Sequence, residues 1–135
     1  MTNEDAGEVR IDSESDIVAA RKIVRDMAIA LGFGVTDVTR IVTAASELTR
    51  NVFRYAGSGI MRWRTVTAGE VIGLELVFED HGPGIPDITR AMEVGYTTKG
   101  GLGLGLPGAK RLMDELEIES EVGKGTRVTV KKWRK

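Results

Sequence analysis

The chain has 135 residues, of which 19 are lysine or arginine and 20 are aspartate or glutamate, so its formal net charge is −1. This balance gives no electrostatic case for nucleic acid or a membrane surface as a partner. With no cysteine and one histidine, the composition excludes disulfides, cysteine nucleophiles, thiolate metal sites and multi-histidine metal sites. The start is unlike a signal peptide, and no apolar run approaches the roughly 20 residues that span a bilayer. We therefore expect one cytoplasmic domain.

The first half of the chain predicts a short strand followed by two amphipathic helices. Residues 8–11 favour a strand. Apolar residues then recur at steps of three and four over residues 17–31 and again over residues 38–55, and this spacing is typical of helices with one buried face. The candidate caps are Asp12, Ser13 or Ser15 for the first helix and Thr36 or Asp37 for the second, and Gly32, Gly34, Gly57 and Gly59 follow the two helix ends.

Two antiparallel strands joined by a tight turn are predicted next. Apolar and polar residues alternate over residues 59–67 and over residues 71–80. Between Gly82 and Gly108 lie 8 of the 17 glycines and all 3 prolines, with room for a short helix at 87–93.

The end of the chain predicts a helix and a hairpin. The helix covers about 105–116, and the hairpin turns at 123–126. The whole order indicates an α+β fold, a two-layer sandwich in which about three helices cover one face of a mostly antiparallel mixed sheet.

Asp80 is the first candidate for a functional side chain. It continues the buried phase of the strand at 71–80, so its carboxylate points inward where the strand ends. It is either a cap or turn aspartate, or a specificity carboxylate that accepts a hydrogen bond from a ligand amine. Gly82 and Gly84 let the backbone approach a flat ligand closely, and we interpret His81 as an ordinary turn residue.

The second helix carries another polar group of residues. Glu47 and Asn51 are four residues apart and therefore lie on one helix face, with Arg50 and Arg54 nearby. Such a stripe is either a solvated face or a general base held next to a metal-binding oxygen.

The glycine-rich run at 99–106 leads into a predicted helix, whose free N–H groups and positive dipole end suit a phosphate. Glycines here also match GxGxxG, but no strand precedes them, and we reject a dinucleotide site. The sequence GKGT at 123–126 is interpreted as a hairpin turn and not a P-loop, with the Thr126 hydroxyl available to a nearby site.

Three motifs occur in order along the chain: ExxxN on a helix, DxGxG after a strand, and GGLGxGL opening a helix. Together they resemble the Bergerat-type ATP-binding fold shared by DNA gyrase, heat-shock chaperones, histidine kinases and mismatch-repair ATPases. The segments ELTRNVFRYAGSG (47–59), EDHGPGIPDI (79–88) and GGLGLGLPGAKRLMDE (100–115) narrow the resemblance to the serine/threonine kinases of the bacterial stressosome, the RsbT type. It implies a flexible N-terminus at 1–8 and a single ATP-binding kinase domain over 9–135.

The resemblance also implies roles for individual residues. Glu47 would be the base for the acceptor hydroxyl, and Asn51 would ligate Mg²⁺. The adenine site would comprise Asp80, Gly82, Gly84 and Thr126, and the phosphates and their mobile lid would involve Thr98, Lys99, Gly101, Gly103, Leu104 and Gly105.

The same resemblance implies ATP and Mg²⁺ as cofactors and partners of two kinds. The kinase would phosphorylate a STAS-domain protein of a stressosome, and after release it would bind and activate a metal-dependent serine phosphatase. The alternative is a nucleotide-gated anti-sigma or partner-binding module with little phosphotransfer. We expect Trp63 and Trp133 to be exposed and to mark a contact surface.

Overall fold

The computed structural model describes residues 6–85 and 105–134. The elements follow the predicted order. They are β1 (Ala6–Ile11), α1 (Ser15–Ala30), α2 (Val35–Ala56), β2 (Gly59–Ala68), β3 (Val71–Asp80), α3 (Gly105–Leu112), β4 (Glu115–Glu121) and β5 (Gly125–Trp133). The short helix predicted at 87–93 lies outside the described residues.

The five strands form one sheet in the order β1-β2-β3-β5-β4, and the helices cover one of its faces. Every neighbouring pair is antiparallel, so the part of the sheet that is described contains no parallel pairing. The predicted α+β two-layer fold is confirmed, although the mixed sheet we expected is antiparallel throughout these strands. Two of the four neighbouring pairs, β2–β3 and β4–β5, are hairpins, and a hairpin is always antiparallel.

The core lies between the sheet and the helices and follows the predicted periodicities. On β3, Leu74, Leu76 and Phe78 are buried on the helix-covered face. Helix α2 is the central helix of the layer, and it packs against α1 on one side and α3 on the other. Burying each such side chain is worth roughly 1.5–3 kcal/mol. This packing fixes where the end of α2 meets the end of β3.

The start of helix α1 differs from the prediction. Glu14 occupies the cap position and makes no side-chain cap hydrogen bond, so the predicted capping by Asp12, Ser13 or Ser15 is wrong. Instead, the carboxylate of Asp16 in the first turn accepts the backbone N–H groups of Asp12 (2.7 Å) and Ser13 (3.0 Å). The acid reaches back from inside the helix, as in the second half of a capping box.

The bounds of the other elements also shift by a few residues. Helix α2 begins directly after Gly34, so the predicted caps Thr36 and Asp37 lie within its first turn. Helix α3 ends at Leu112 and not at 116, because Leu116 belongs to β4. Strand β1 starts at Ala6, so it includes residues that we had assigned to the flexible N-terminus.

The two tryptophans are only partly exposed, contrary to our expectation. Trp63 packs over Gly7 and Trp133 packs over Gly73, each across a strand pair, because the glycines leave space for the indole rings. The Trp133 indole N–H also donates to Glu115 at 2.7 Å. Their rings therefore cover neighbouring strands.

Candidate active site

Asp80 is the last residue of β3 and lies opposite both Gly59 of β2 and Thr126 of β5. Its half-buried carboxylate accepts the backbone N–H of Gly82 at 2.9 Å and the backbone N–H of Thr126. Burial raises the pKa of Asp80 above its ordinary value, and the two backbone donors oppose this shift. The sequence indicated the inward phase correctly, but the donors that partly satisfy the carboxylate are backbone groups.

The bond from Gly82 to Asp80 is a local turn contact between residues two apart, so Asp80 acts as a turn aspartate. A carboxylate has about four lone-pair sites, so the two backbone donors leave acceptor capacity for a ligand. Its role as a specificity carboxylate stays a prediction.

Gly82 and Gly84 hold the loop after β3 against the rest of the chain. A Cβ added at Gly82 would lie 2.6 Å from the Cβ of Ala56 at the end of α2. Gly84 has a φ of +81°, and a Cβ there would collide with the carbonyl of Glu121 in β4. The structure thus gives a packing reason for each glycine, and their contact with a ligand stays a prediction.

Helix α2 brings the second pair of candidate residues to the same end of the sheet. Val52 fills the space above Gly59, where a Cβ would lie 2.5 Å from its Cγ1, and Ala56 packs on Gly82. Glu47 and Asn51 lie on the neighbouring helix stripe and are half-buried. The candidate residues on α2 therefore border the contact between the helix and the Asp80 turn.

Glu47 and Asn51 differ in their partners. One oxygen of the Glu47 carboxylate, Oε2, accepts from the Arg50 guanidinium at 3.0 Å, whereas Oε1 remains available. The Asn51 side-chain amide makes no hydrogen bond with any residue of the described ranges. Within those ranges its oxygen has no partner, and an amide oxygen is a ligand that Mg²⁺ accepts when phosphates and waters supply the remaining positions. The side chain fits the implied magnesium.

Thr126 belongs to a hydrogen-bonded group that sequence reasoning missed in part. Its hydroxyl lies 2.9 Å from the hydroxyl of Ser120, which also accepts the backbone N–H of Ile85 and donates to the carbonyl of Gly125. Ser120 was recognisable, because it continues the inward phase of Leu116 on β4, as Asp80 does on β3.

A shallow groove of about 320 Å³ runs along these strand ends, with Asp80, Ser120 and Thr126 in its wall. Glu79 and Arg127, from the sheet face opposite the helices, also line it, whereas Glu47 and Asn51 do not, so the groove lies on the outer side of the strand ends and apart from the α2 residues. His81 is exposed beside the groove, and the described part of the chain contains no cluster of three acidic, histidine or cysteine side chains suited to a metal.

The predicted phosphate-binding residues are placed only in part. Gly105 is the first residue of α3, as the sequence indicated, and Leu106 and Ala109 are buried and fix this helix. The remaining predicted lid residues lie outside the described residues. They are Thr98, Lys99, Gly101, Gly103 and Leu104.

Comparison with known proteins defines the class to which this fold and site belong. Residues 36–135 match the family described as histidine kinase-, DNA gyrase B- and HSP90-like ATPases. The chain belongs to this family. Two solved structures share the fold at 19% sequence identity. One contains the RsbU and RsbW domains of Rv1364c from Mycobacterium tuberculosis (TM-score 0.60, covering 96% of this chain and 32% of that chain). The other is the mycobacterial sensor histidine kinase MprB (TM-score 0.58, covering 96% of this chain and 99% of that chain).

Curated relatives narrow the class. The chain is 53% identical over 125 residues to the serine/threonine-protein kinase RsbT of Bacillus subtilis (strain 168), covering 93% of this chain and 94% of the relative. It is 35% identical over 120 residues to an anti-sigma F factor of Thermoanaerobacter sp. (strain X514), covering 84% and 82%. Within the ATPase family, the chain therefore belongs to the RsbT-type serine/threonine-protein kinases, and the resemblance stated from the motifs is confirmed.

Among the helices of the described residues, none is long and apolar enough to cross a membrane.

Proposed function

We propose that this chain binds Mg-ATP at the end of β3 and transfers the γ-phosphate to a serine or threonine of a STAS-domain protein. The observation that carries the proposal is the Asp80 carboxylate, which is half-buried at the end of β3 and whose two backbone donors leave acceptor capacity for a ligand. Membership of the RsbT-type kinases supports it. The exocyclic amino group of adenine is the donor that such a carboxylate would take.

The side chains divide the work by their chemistry. Asp80 binds the adenine amino group, and Thr126 lies beside it on β5. The Asn51 amide oxygen would ligate Mg²⁺, which, when bound, supplies neutralisation of charge on the phosphates. Gly105, at the start of α3, would offer its backbone N–H to a phosphate. Gly101 and Gly103, outside the described residues, are predicted to do the same.

Glu47 is the proposed base. Oε2 of its carboxylate is held by Arg50, and Oε1 is the atom that would accept the proton of the acceptor hydroxyl. In phosphoryl transfer, most catalysis is positioning and charge stabilisation, so a base that orients the hydroxyl and accepts its proton suffices.

The proposed partners follow from the same family. The substrate is a STAS-domain protein of a stressosome, and the released kinase binds and activates a metal-dependent serine phosphatase in a cytoplasmic stress pathway. Names of relatives support partner exchange, because one is a kinase and others are anti-sigma F factors.

The test is phosphosite mass spectrometry of STAS-domain proteins from neighbouring genes after incubation with the chain and Mg-ATP. In parallel, Glu47→Ala should bind ATP with unchanged affinity but transfer phosphate about 10²- to 10⁴-fold more slowly, the range typical of general base catalysis. Glu70→Ala, in the exposed β2–β3 turn, is the matched control. Phosphotransfer at the normal rate by Glu47→Ala would contradict the role of Glu47, and no phosphosite on any partner would contradict the kinase.

A second candidate function is a nucleotide-gated binding module with little phosphotransfer. The 35% identity to an anti-sigma F factor favours it. A pull-down that compares ATP-loaded and ADP-loaded protein, run beside the kinase assay, distinguishes the two: a binder exchanges partners with nucleotide but leaves them unmodified.

A further inference from the structure

The hydroxyl of Ser120 is the centre of a three-way hydrogen-bonded junction near Asp80. It lies 2.8 Å from the backbone nitrogen of Ile85, 3.0 Å from the carbonyl oxygen of Gly125 and 2.9 Å from the hydroxyl of Thr126. Ile85 belongs to the loop after β3, whereas Gly125 and Thr126 are the first two residues of β5. One side chain on β4 thus connects the loop after β3 to the start of β5, which lies beside Asp80.

Proton accounting assigns each of these bonds a direction. The Ile85 nitrogen can only donate, and the Gly125 carbonyl can only accept. The single proton of the Ser120 hydroxyl therefore goes to Gly125, and its two lone pairs receive the protons of Ile85 and Thr126. This is the one assignment that satisfies all three contacts.

The consequence falls on Thr126. Because its hydroxyl proton is committed to Ser120, the oxygen offers only lone pairs to anything else nearby. Asp80, opposite it on β3, is likewise an acceptor when ionised. A 6-amino group can donate one proton to each of two neighbouring acceptors, whereas a 6-oxo group in the same place has no proton to give and faces two oxygen atoms.

We propose that Ser120 is a positioning residue that fixes the Thr126 hydroxyl as an acceptor, so that the site selects a 6-aminopurine over a 6-oxopurine nucleotide. This inference rests on the proposed function, in which Asp80 and Thr126 contact the base of ATP. It adds a specificity determinant outside the set of motifs that define the family resemblance.

The loop after β3 is held by the same junction. Besides the Ile85 bond to Ser120, the backbone N–H of Gly123 donates to the carbonyl of Pro83 at 2.9 Å. A change at Ser120 therefore leaves one backbone tie between the loop and the β4–β5 turn. We expect Ser120→Ala to fold, with its principal effect on the freedom of the Thr126 hydroxyl.

The experiment is calorimetric titration of the full chain with Mg-ATP and with Mg-ITP, in which an oxo group replaces the 6-amino group and N1 carries a proton. In Ser120→Ala, the Thr126 proton is free to turn toward a 6-oxo group. Loss of the hydrogen bond from Thr126 to Ser120 should reduce the dissociation constant for ITP divided by that for ATP roughly three- to tenfold, the worth of one neutral hydrogen bond. Ser120→Thr, which retains the hydroxyl, should restore the wild-type ratio, and Ser58→Ala, at an exposed serine, should leave it unchanged.

Each result decides the inference. A reduced ratio in Ser120→Ala with restoration in Ser120→Thr supports it, whereas equal weakening of both nucleotides shows that Ser120 only holds the loop and overturns it. If Ser120→Ala does not fold, Thr126→Val takes its place, and an unchanged ratio there overturns the inference as well. Failure of the wild-type chain to bind either nucleotide instead contradicts the proposed function itself.

Discussion

Glu79 and Asp80 are consecutive carboxylates at the end of β3, but they face opposite sides of the sheet and have opposite environments. Glu79, on the helix-free face, is paired with the guanidinium groups of Arg62 and Arg127. Hydrogen bonds from these partners, of which that from Arg62 has the larger effect, lower the pKa of Glu79. Burial, in contrast, raises the pKa of Asp80. Side-chain cations compensate one charge, and backbone N–H groups compensate the other only in part.

The Glu79 pairing belongs to a row of alternating charges that crosses all five strands. The members of this row are Glu8, Arg62, Glu79, Arg127 and Glu119. A second row, Arg64, Glu75, Lys131 and Glu115, runs parallel to it. This difference indicates where a ligand can bind. A carboxylate whose charge is compensated by the protein's own cations is structural, whereas a carboxylate whose charge is compensated only in part is available for binding.

The largest effect should come from removing the close approach that holds Asp80 in place. Gly125 has a φ of +123°, and a Cβ there would collide with the Asp80 carbonyl and lie 2.8 Å from the His81 Cα. Gly125→Ala should therefore lower the free energy of unfolding by about 2–5 kcal/mol, combining backbone strain and overpacking. The measurement is urea denaturation.

The matched control is Gly69→Ala, in the β2–β3 turn at the other end of the sheet. Gly69 also has a positive φ, +62°, but nothing lies within 4 Å of an added Cβ. Its replacement should cost only the strain of the left-handed backbone, about 1–2 kcal/mol. Equal losses in the two variants would show that the contact between Gly125 and Asp80 is not tight.

The comparison of the two carboxylates is tested directly by neutralising each one. Asp80→Asn should weaken ATP binding about 10- to 150-fold, because a hydrogen bond to a charged group is worth about 1.5–3 kcal/mol. Glu79→Gln, one residue away on the other face, should leave ATP affinity unchanged. Calorimetric titration measures both, and an unchanged dissociation constant for Asp80→Asn would rule out the carboxylate as the base-binding group.

The residues of the helix-covered face could be predicted from the sequence, because burial of one face makes apolar residues recur at a regular spacing. Asp80 continues the phase of Leu76 and Phe78 on β3, and the spacing of Glu47 and Asn51 places them on one side of α2. These features are local, so a pattern of two or of 3.6 residues suffices to predict them. The position of the end of α2 relative to Asp80 could not be predicted, because it depends on the packing of Ala56 on Gly82.

The ion pairs of the helix-free face and the bonding partners of Ser120 were not readable in the same way, although the inward phase of Ser120 on β4 was. Arg62 and Glu79 are 17 residues apart, and their pairing depends on the register of the β2–β3 hairpin. Ser120 is 35 residues from its partner Ile85, with which it shares no periodic pattern. The capping of α1 was missed because cap preferences consider only the side chain at the cap position. Here Asp16, inside the first turn, accepts a hydrogen bond from a backbone N–H that precedes the helix.

Stability as a function of pH should distinguish the two carboxylates by sign. The pKa of Asp80 is raised in the folded state above the ordinary value near 3.8. Between these two pKa values the folded chain binds more protons than the unfolded chain. The contribution of Asp80 to stability therefore falls as pH rises from the ordinary value to the folded pKa. The pKa of Glu79 is lowered, so its contribution is present above the ordinary value near 4.5 and is lost as pH falls through its folded pKa.

The measurement is urea denaturation without nucleotide between about pH 3 and pH 7. Relative to wild type, Asp80→Asn should become more stable as pH rises, and Glu79→Gln should become less stable. Slopes of the same sign would mean that the two faces do not differ in the way the geometry indicates.

The smallest effect should come from breaking the charge row at Arg127, which contacts Glu79 at 3.1 Å and Glu119 at 3.0 Å. These groups are partly exposed, so Arg127→Ala should cost about 0.2–1 kcal/mol of stability, and the loss should shrink at high salt. Arg62 continues to compensate Glu79 in this variant, and ATP affinity should not change because the charge row faces away from the helices. Thermal unfolding at low and high salt, with an ATP titration, checks both expectations. Weaker ATP binding in Arg127→Ala would show that the outer charges reach Asp80 through the sheet, and the independence of the two faces would then fail even if Asp80 binds the base.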